Sequence, residues 1–304
     1  MVTRRRWLAS AFSLLASSAA VARGAKTTSL SAREITLATP GRFGQKCLLL
    51  RPARVSESEA LPLLVLFHGL GETGSEALGI RAWYDRYGLP EAYARLSSPP
   101  IERTLPAERY LSDERLLELN RELSARPFPD LALVCPFTPN VFKQHPSAPF
   151  LDRYAEYIEQ SLLPAVRAAT PILASEECCG VAGVSLGGYV ALEVFLRKSA
   201  LFSALSCVQP AISAAAVETY ATRLASWTSN RQSGGLGPRI QLVSSSYDPF
   251  RAATQRLAKR LTALGSNGTS MFPAGPHDQR FLREVGTLEM LLFQARALHG
   301  SVEP

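Results

Sequence analysis

The sequence is poor in the side chains that usually bind transition metals. It contains four histidines and five cysteines in 304 residues. No C-x-x-C pair and no cysteine–histidine cluster at metal-ligand spacing occurs among them. The odd number of cysteines leaves at least one thiol unpaired within the chain, and their spacing assigns no disulfide. We therefore expect no metal site.

Charged residues are also sparse, and they form no large block of one sign. They make up 19% of the chain, with a formal net charge of +7. Three of the arginines, Arg4, Arg5 and Arg6, lie close to the N-terminus, and without them 30 basic residues face 26 acidic ones, a net charge of +4. Since the remaining basic excess is scattered, we expect no nucleic-acid partner.

No apolar run near the N-terminus is long enough to predict a membrane span. The uncharged stretch from Leu8 to Val21 is short and rich in alanine and serine. It follows Thr3–Leu8 (TRRRWL), which resembles a twin-arginine export signal, and ends at a small-residue cleavage pattern, Ala20–Ala22. We predict a twin-arginine-type signal peptide over residues 1–22 and a mature domain over residues 23–304. The domain would be exported to the periplasm or the medium without stable membrane insertion, and an uncleaved membrane anchor is the alternative.

The most informative motif is the pentapeptide Gly183–Gly187 (GVSLG), a G-x-S-x-G sequence centred on Ser185. An apolar segment typical of a strand precedes it, and a helical pattern follows it. This context is typical of a nucleophile elbow, in which a sharp turn exposes the serine Oγ. Gly183 and Gly187 are expected because a Cβ at either position would clash where strand and helix pass closely. The alternative is an ordinary turn of small residues.

Candidate partners follow Ser185 in the order acid, then histidine, as in α/β-hydrolases. Of the four histidines, His277 lies in a loop after a late strand, whereas His145 precedes the serine and His299 is close to the chain end. Asp248 is the only aspartate between Ser185 and His277, and it follows an apolar segment typical of a buried strand. Asp278 is a weaker candidate because neighbouring residues rarely place a carboxylate against the preceding imidazole.

An oxyanion hole is predicted from two backbone N–H groups. One belongs to Leu186, the residue after the serine. The other is expected from Leu70, in the sequence His68–Gly71 (HGLG) that follows a continuous apolar run. His68 would orient this loop rather than act as the general base.

The remaining pattern alternates strands and helices, which predicts an α/β fold with a mostly parallel sheet of about eight strands and helices on both faces. The expected strands lie near residues 34–37, 47–50, 64–67, 131–135, 180–184, 204–208, 240–244 and 269–272. Residues 71–130 are longer than an ordinary connection and carry Trp83, Tyr84, Tyr87 and Tyr93. This segment is either a lid or pocket wall over Ser185, or a surface insertion that packs its aromatic rings on the core.

A family resemblance is visible on these residues. The stretch from Tyr154 to Pro210 resembles the Putative esterase family of α/β-hydrolases, which includes esterase D, feruloyl esterases and mycobacterial mycolyltransferases. Residues 157–166 (YIEQSLLPAV), 181–189 (VAGVSLGGY) and 201–206 (LFSALS) carry the likeness. The resemblance implies a triad of Ser185, Asp248 and His277, with Leu70 and Leu186 as oxyanion donors.

This chain departs from the family pattern in two places. Many members have a Ser-Gly pair after the sixth strand, where this sequence has Val208-Gln209-Pro210, and residues 71–130 match poorly. The resemblance therefore transfers no particular substrate.

These patterns predict an exported serine hydrolase that cleaves carboxylic esters of small molecules or polysaccharides through an acyl-enzyme, with no metal or organic cofactor. The alternatives are acyl transfer by the same triad, a serine peptidase, and a non-catalytic binding protein with a hydrolase fold.

Overall fold

The computed structural model describes residues 29–300, apart from residues 42, 106, 146, 176–177, 232–238 and 267. The signal peptide predicted over residues 1–22 lies outside the described residues and stays a prediction. None of the helices in the described ranges is long and apolar enough to cross a membrane.

The centre of the molecule is one eight-stranded sheet with the strand order β1-β2-β4-β3-β5-β6-β7-β8. Its strands are β1 Leu30–Gly41, β2 Gly44–Pro52, β3 Leu63–Phe67, β4 Ala132–Pro136, β5 Cys179–Val184, β6 Ala204–Val208, β7 Ile240–Val243 and β8 Thr269–Met271. β2 is antiparallel to both β1 and β4, and the neighbours from β4 to β8 are parallel.

The central strands are apolar throughout because both faces of the sheet are covered. Every residue of β3 is buried. Leu63, Val65 and Phe67 point into one hydrophobic core, whereas Leu64 and Leu66 point into a second core on the opposite face. This alternation follows from the two-residue period of a strand.

Helices cover the two faces. They are α1 Glu76–Asp85, α2 Leu89–Ser97, α3 Asp113–Ala125, α4 Ser147–Tyr157, α5 Leu163–Ala169, α6 Leu186–Arg197, α7 Val217–Arg231, α8 Arg251–Ala263, α9 Gln279–Phe281 and α10 Thr287–His299. Helices α4 to α8 contribute residues to the first core, and α1 to α3 and α10 contribute to the second. The predicted α/β fold with helices on both faces is confirmed.

Several element boundaries differ from the sequence expectation. β1 is much longer than the predicted residues 34–37. The helical segment before β5 begins at Ser147 and contains a π-helical turn, Ile158–Leu162, between α4 and α5. A second π-helical turn, Leu282–Gly286, joins α9 to α10. Such wide turns insert a residue into the i→i−4 ladder, which a pattern of apolar spacing does not reveal.

Residues 71–130 contain α1, α2 and α3. The side chains of Trp83 and Tyr93 are fully buried in the second core, and Tyr87 is 4% exposed. The aromatic residues of this segment thus pack largely on the body of the fold. Tyr87 also reaches the pocket described below.

The parallel strands place their carboxyl ends at one edge of the sheet. Loops after β3, β5, β6, β7 and β8 therefore meet there, which is the usual location of ligand sites in open α/β sheets. The predicted site residues all lie in or directly after these loops.

Candidate active site

Ser185 occupies a sharp turn between β5 and α6. Its backbone has φ 55° and ψ −117°, a conformation that residues with a Cβ rarely adopt. Hydrogen bonds from both sides hold it there, since the Ser185 N–H donates to Val208 O at 2.9 Å and the Ala211 N–H donates to Ser185 O at 2.9 Å. Strain maintained by surrounding bonds is typical of functional positions.

Two glycines allow this turn, for the reason expected from the sequence. A Cβ on Gly183 would lie 2.1 Å from Gly187 O, and a Cβ on Gly187 would lie 2.2 Å from Phe67 O. Both contacts are with backbone atoms, so no side-chain rotation could relieve them. The strand before Ser185 and the helix after it can therefore approach closely only if both positions are glycine.

The structure brings His277 and Asp248 to Ser185. His277 Nε2 lies 3.1 Å from Ser185 Oγ, and His277 Nδ1 lies 2.9 Å from Asp248 Oδ1. With the carboxylate accepting the Nδ1 proton, Nε2 has a free lone pair for the serine hydroxyl. The three side chains can therefore pass a proton from Ser185 to His277.

Asp248 is held rigidly by its own turn. Its carboxylate is fully buried, Ser244 Oγ donates to Oδ2 at 2.5 Å, and the Phe250 N–H donates to Oδ1 at 3.0 Å. These bonds compensate for removing the charge from water. They also aim Oδ1 at His277.

Asp278 has a different environment from Asp248. Its Oδ1 accepts the N–H groups of Arg280 and Phe281, so it caps the N-terminus of α9. This cap fixes the residue directly after His277. The other two histidines considered for the base lie elsewhere: His299 contacts Ala295 O on α10, and His145 is exposed.

Gln209 is a site residue whose role the sequence pattern does not reveal. It follows β6 with a positive φ of 47° and is 1% exposed. Its Nε2 donates to Ser245 Oγ at 2.7 Å and to Pro276 O at 2.9 Å, so it braces the residue that precedes His277. The only hint in the sequence is that Val208-Gln209-Pro210 replaces the Ser-Gly pair found in many family members. This difference marks the position but does not predict the contacts of Gln209.

The loop expected to supply an oxyanion donor lies beside the nucleophile. A Cβ on Gly69 would be 3.8 Å from Ser185 Cβ. Leu70 begins a short 3₁₀ turn and Leu186 begins α6. The first N–H groups of a helix have no acceptor within it, so both remain available to a ligand oxygen.

His68 lies under this loop and is completely buried. Its Nε2 accepts the Thr138 N–H at 2.9 Å, which leaves the proton on Nδ1, and Nδ1 lies 2.9 Å from Gly69 O. The desolvation caused by burial lowers the pKa of His68 from 6.5 to about 4, and its contacts with Gly69 and Glu72 only partly oppose this. His68 is thus a neutral hydrogen-bonding side chain at neutral pH.

This buried imidazole predicts a specific loss of stability in acid. The unfolded chain binds a proton at His68 near pH 6.5, whereas the folded chain binds it only near pH 4. Between these values the unfolded state holds more protons, so the free energy of unfolding should fall by about 3 kcal/mol as the pH decreases from 7 to 4. Urea unfolding of the wild type and His68→Asn across this range tests the assignment. The variant should lose less stability over the same interval, and equal losses would contradict it.

A pocket of about 420 Å³ opens over Ser185. Its apolar lining comes mainly from Leu70, Phe142, Leu186, Phe250 and Leu282. Two of these side chains, Leu70 and Phe142, are about half exposed at 48% and 49%. The pocket can therefore take an apolar group next to the serine.

Residues 71–130 and the loop after β4 contribute to this pocket unequally. From the first segment, Gly71, Glu72 and Tyr87 line it. From the second, Phe142 lines it and stacks on Tyr189 with ring centroids 5.5 Å apart, whereas Phe137 packs against the His68 ring. Trp83 and Tyr93 belong to the core.

The structure offers no group of three or more His, Cys, Asp or Glu side chains suited to a metal within its described residues. All five cysteines are buried. Burial raises the pKa of Cys47 and of Cys179 to about 12, so neither forms an appreciable thiolate at neutral pH.

Comparison with known proteins identifies the family. The model of the family described as Putative esterase matches residues 135–291, more than half of the chain. The chain belongs to this family. It is accordingly an ester-hydrolysing enzyme, and the matched segment includes Ser185, Asp248 and His277, whereas the Gly69–Leu70 loop precedes it.

Solved structures with the same fold include several esterases. A ferulic acid esterase superposes with a TM-score of 0.60 at 13% identity, over 89% of this esterase and 99% of that chain. S-formylglutathione hydrolase from Staphylococcus aureus gives 0.56 at 13% identity, over 89% and 98% of the two chains. A ferulic acid esterase from Anaeromyces mucronatus, solved in complex with ferulic acid, gives 0.54 at 14% identity, over 88% and 92%. At these identities the likeness shows a shared α/β-hydrolase fold. No curated protein matches the sequence.

Proposed function

We propose that this esterase hydrolyses carboxylic esters through an acyl-enzyme formed on Ser185. The observation that carries the proposal is the continuous contact from Asp248 Oδ1 through His277 to Ser185 Oγ, at 2.9 and 3.1 Å. A nucleophile and base within hydrogen-bond distance, with the base oriented by a third group, is the general arrangement for nucleophilic acyl transfer.

In the first half-reaction, Ser185 Oγ bonds to the acyl carbon while its proton moves to His277 Nε2. The carbonyl electron pair moves onto oxygen, and the N–H groups of Leu70 and Leu186 stabilise this oxyanion. When the pair returns, the bond to the alcohol oxygen breaks and the alcohol takes the proton from His277. Asp248 stabilises the imidazolium between these two transfers.

In the second half-reaction, water replaces the alcohol. His277 takes a proton from water, the resulting hydroxide bonds to the acyl carbon, and the carboxylic acid leaves as Ser185 recovers its proton. No step requires a metal or an organic cofactor.

The pocket supports esters of small molecules or of polysaccharides whose acyl group is apolar. Phe142, Leu70 and Phe250 lie close to the serine, so an alkyl or aromatic acyl chain would bury apolar surface there. The similar structure from Anaeromyces mucronatus holds ferulic acid, which makes an aromatic acyl group a natural member of a substrate panel.

A chain-length series of nitrophenyl esters, from acetyl to long-chain, together with methyl esters of hydroxycinnamic acids, tests this function. We expect turnover with a clear acyl optimum, and labelling of Ser185 by a fluorophosphonate detected by mass spectrometry. Addition of an alcohol acceptor separates hydrolysis from acyl transfer, because transfer yields a new ester instead of the free acid. Absence of both turnover and labelling would refute the proposal.

A further inference from the structure

A buried polar pair lies beneath the loop that carries Leu70. The Tyr87 hydroxyl accepts the Gly69 N–H at 3.1 Å and donates its own proton to Glu72 Oε2. Tyr87 and Glu72 are only 4% and 3% exposed. Arg86 Nη1 pairs with the other Glu72 oxygen at 3.1 Å, which compensates for the buried charge.

Tyr87 is itself fixed from two sides. Its ring packs edge-on against Trp83 with centroids 5.2 Å apart, and its carbonyl oxygen accepts the Thr287 hydroxyl at 2.7 Å. Burial raises the pKa of Tyr87 far above its ordinary value. The side chain therefore stays a neutral phenol that both donates and accepts, and donation to a carboxylate strengthens its oxygen as an acceptor.

The hydrogen bond from Gly69 to Tyr87 is important because Gly69 directly precedes the Leu70 N–H. The carbonyl of Gly69 and the N–H of Leu70 belong to one planar trans peptide, so they point in opposite directions. His68 Nδ1 holds the Gly69 carbonyl, and Tyr87 holds the Gly69 N–H. The peptide planes before and after the Gly69 Cα are thus both fixed, although glycine is the residue with the greatest rotational freedom.

We propose that Tyr87, anchored by Glu72, is a positioning residue that holds Gly69 and thereby directs the Leu70 N–H toward the oxyanion of the acyl-transfer transition state. This inference rests on the proposed function. Tyr87 touches no reacting atom in this role, since it acts through the Gly69 peptide.

Tyr87→Phe removes the hydroxyl and keeps the ring. Loss of one oxyanion donor costs about 10²–10³ in turnover, and a misdirected donor should cost less, so we expect kcat to fall roughly tenfold to a hundredfold. KM should change little, because the donor acts mainly in the transition state. The affinity for a trifluoromethyl ketone, which forms an oxyanion on Ser185, should fall by a similar factor.

Tyr93→Phe is a closely matched control. The Tyr93 hydroxyl also accepts a backbone N–H, from Leu131 at 3.0 Å, and donates to a carboxylate, Asp130, at 2.8 Å. Tyr93 is buried in the same core as Tyr87, but it does not line the pocket over Ser185. The control should lower thermal stability as much as Tyr87→Phe does, with kcat and ketone affinity near the wild-type values.

Glu72 provides a second route to the same readouts if Tyr87→Phe does not fold. Glu72→Gln keeps an oxygen that can accept from Tyr87, whereas Glu72→Ala removes it, so the glutamine variant should retain more of kcat and ketone affinity than the alanine variant.

Suppose that the wild-type enzyme hydrolyses the ester and is labelled at Ser185. Equal kcat and equal ketone affinity for Tyr87→Phe and Tyr93→Phe would then overturn the positioning role of Tyr87 and leave the proposed function intact. Should Tyr87→Phe not fold, equal values for Glu72→Gln and Glu72→Ala would overturn it. A wild-type protein that neither turns over nor labels would instead refute the proposed function.

Discussion

Replacing Ser185 with alanine is expected to lower the turnover of a nitrophenyl ester by at least a thousandfold and up to roughly a millionfold. The change removes the Oγ atom that lies 3.1 Å from His277 Nε2, so the base has no nucleophile to activate. Alanine keeps the Cβ, and the backbone bonds to Val208 and Ala211 do not involve the side chain. The turn should therefore survive, and the residual rate would come from binding and the oxyanion donors.

The measurement is kcat for homogeneous wild type and variant on the best ester of the series. Ser226→Ala serves as a control, because Ser226 is an exposed serine on α7 whose hydroxyl donates to Thr222 O. It should turn over like the wild type. Ser185→Ala should have an unchanged melting temperature and should no longer be labelled by the fluorophosphonate. Wild-type turnover by Ser185→Ala would exclude the serine mechanism.

The three side chains that meet at the site were predictable because their positions depend on chain order and backbone topology. Ser185 follows a buried strand within G-x-S-x-G, and Asp248 and His277 follow later strands of the same parallel sheet. Parallel strands end at one edge, so loops that are far apart in sequence meet there. The scarcity of histidine and the single intervening aspartate left few alternatives.

Two supporting residues could not be predicted from the sequence, because their roles do not follow from chain order or backbone topology. Tyr87 and Gln209 act through side-chain contacts across the fold, with Gly69 and with Pro276. Gln209 also adopts φ 47°, which no property of glutamine favours. Aromatic residues in a segment between strands predict burial. They do not predict which tyrosine hydroxyl forms a hydrogen bond with which backbone N–H group.

The contacts of the two histidines favour His277 over His68 as the proposed base. Both ring nitrogens of His68 are already engaged, with Thr138 N and Gly69 O, and the ring is inaccessible to water. The His277 side chain is 26% exposed, and its Nε2 faces the serine. The contacts of the two ring nitrogens thus fit a structural role for His68 and the proposed role as general base for His277.

Asp248→Ala is expected to lower kcat by roughly ten-thousandfold, because it removes both the group that fixes the His277 tautomer and the charge that stabilises the imidazolium. Asp248→Asn should lower kcat less than Asp248→Ala does. The Phe250 N–H needs an acceptor at Oδ1, and Ser244 Oγ can accept from an amide at the Oδ2 position. The asparagine oxygen would then still face His277 Nδ1, so only the charge would be lost.

Asp278→Asn is the matched control, with the same chemical change one residue from the base. Asparagine is also a good N-cap, so the bonds to Arg280 and Phe281 can persist, and kcat should fall less than about tenfold. The value of kcat should be highest for Asp278→Asn, intermediate for Asp248→Asn and lowest for Asp248→Ala. A loss of kcat for Asp278→Asn as large as that for Asp248→Ala would contradict the assignment of Asp248 as the acid of the triad. Equal losses for the two Asp248 variants would mean that the amide turns its nitrogen to His277, which reverses the tautomer and leaves Nε2 protonated against the serine.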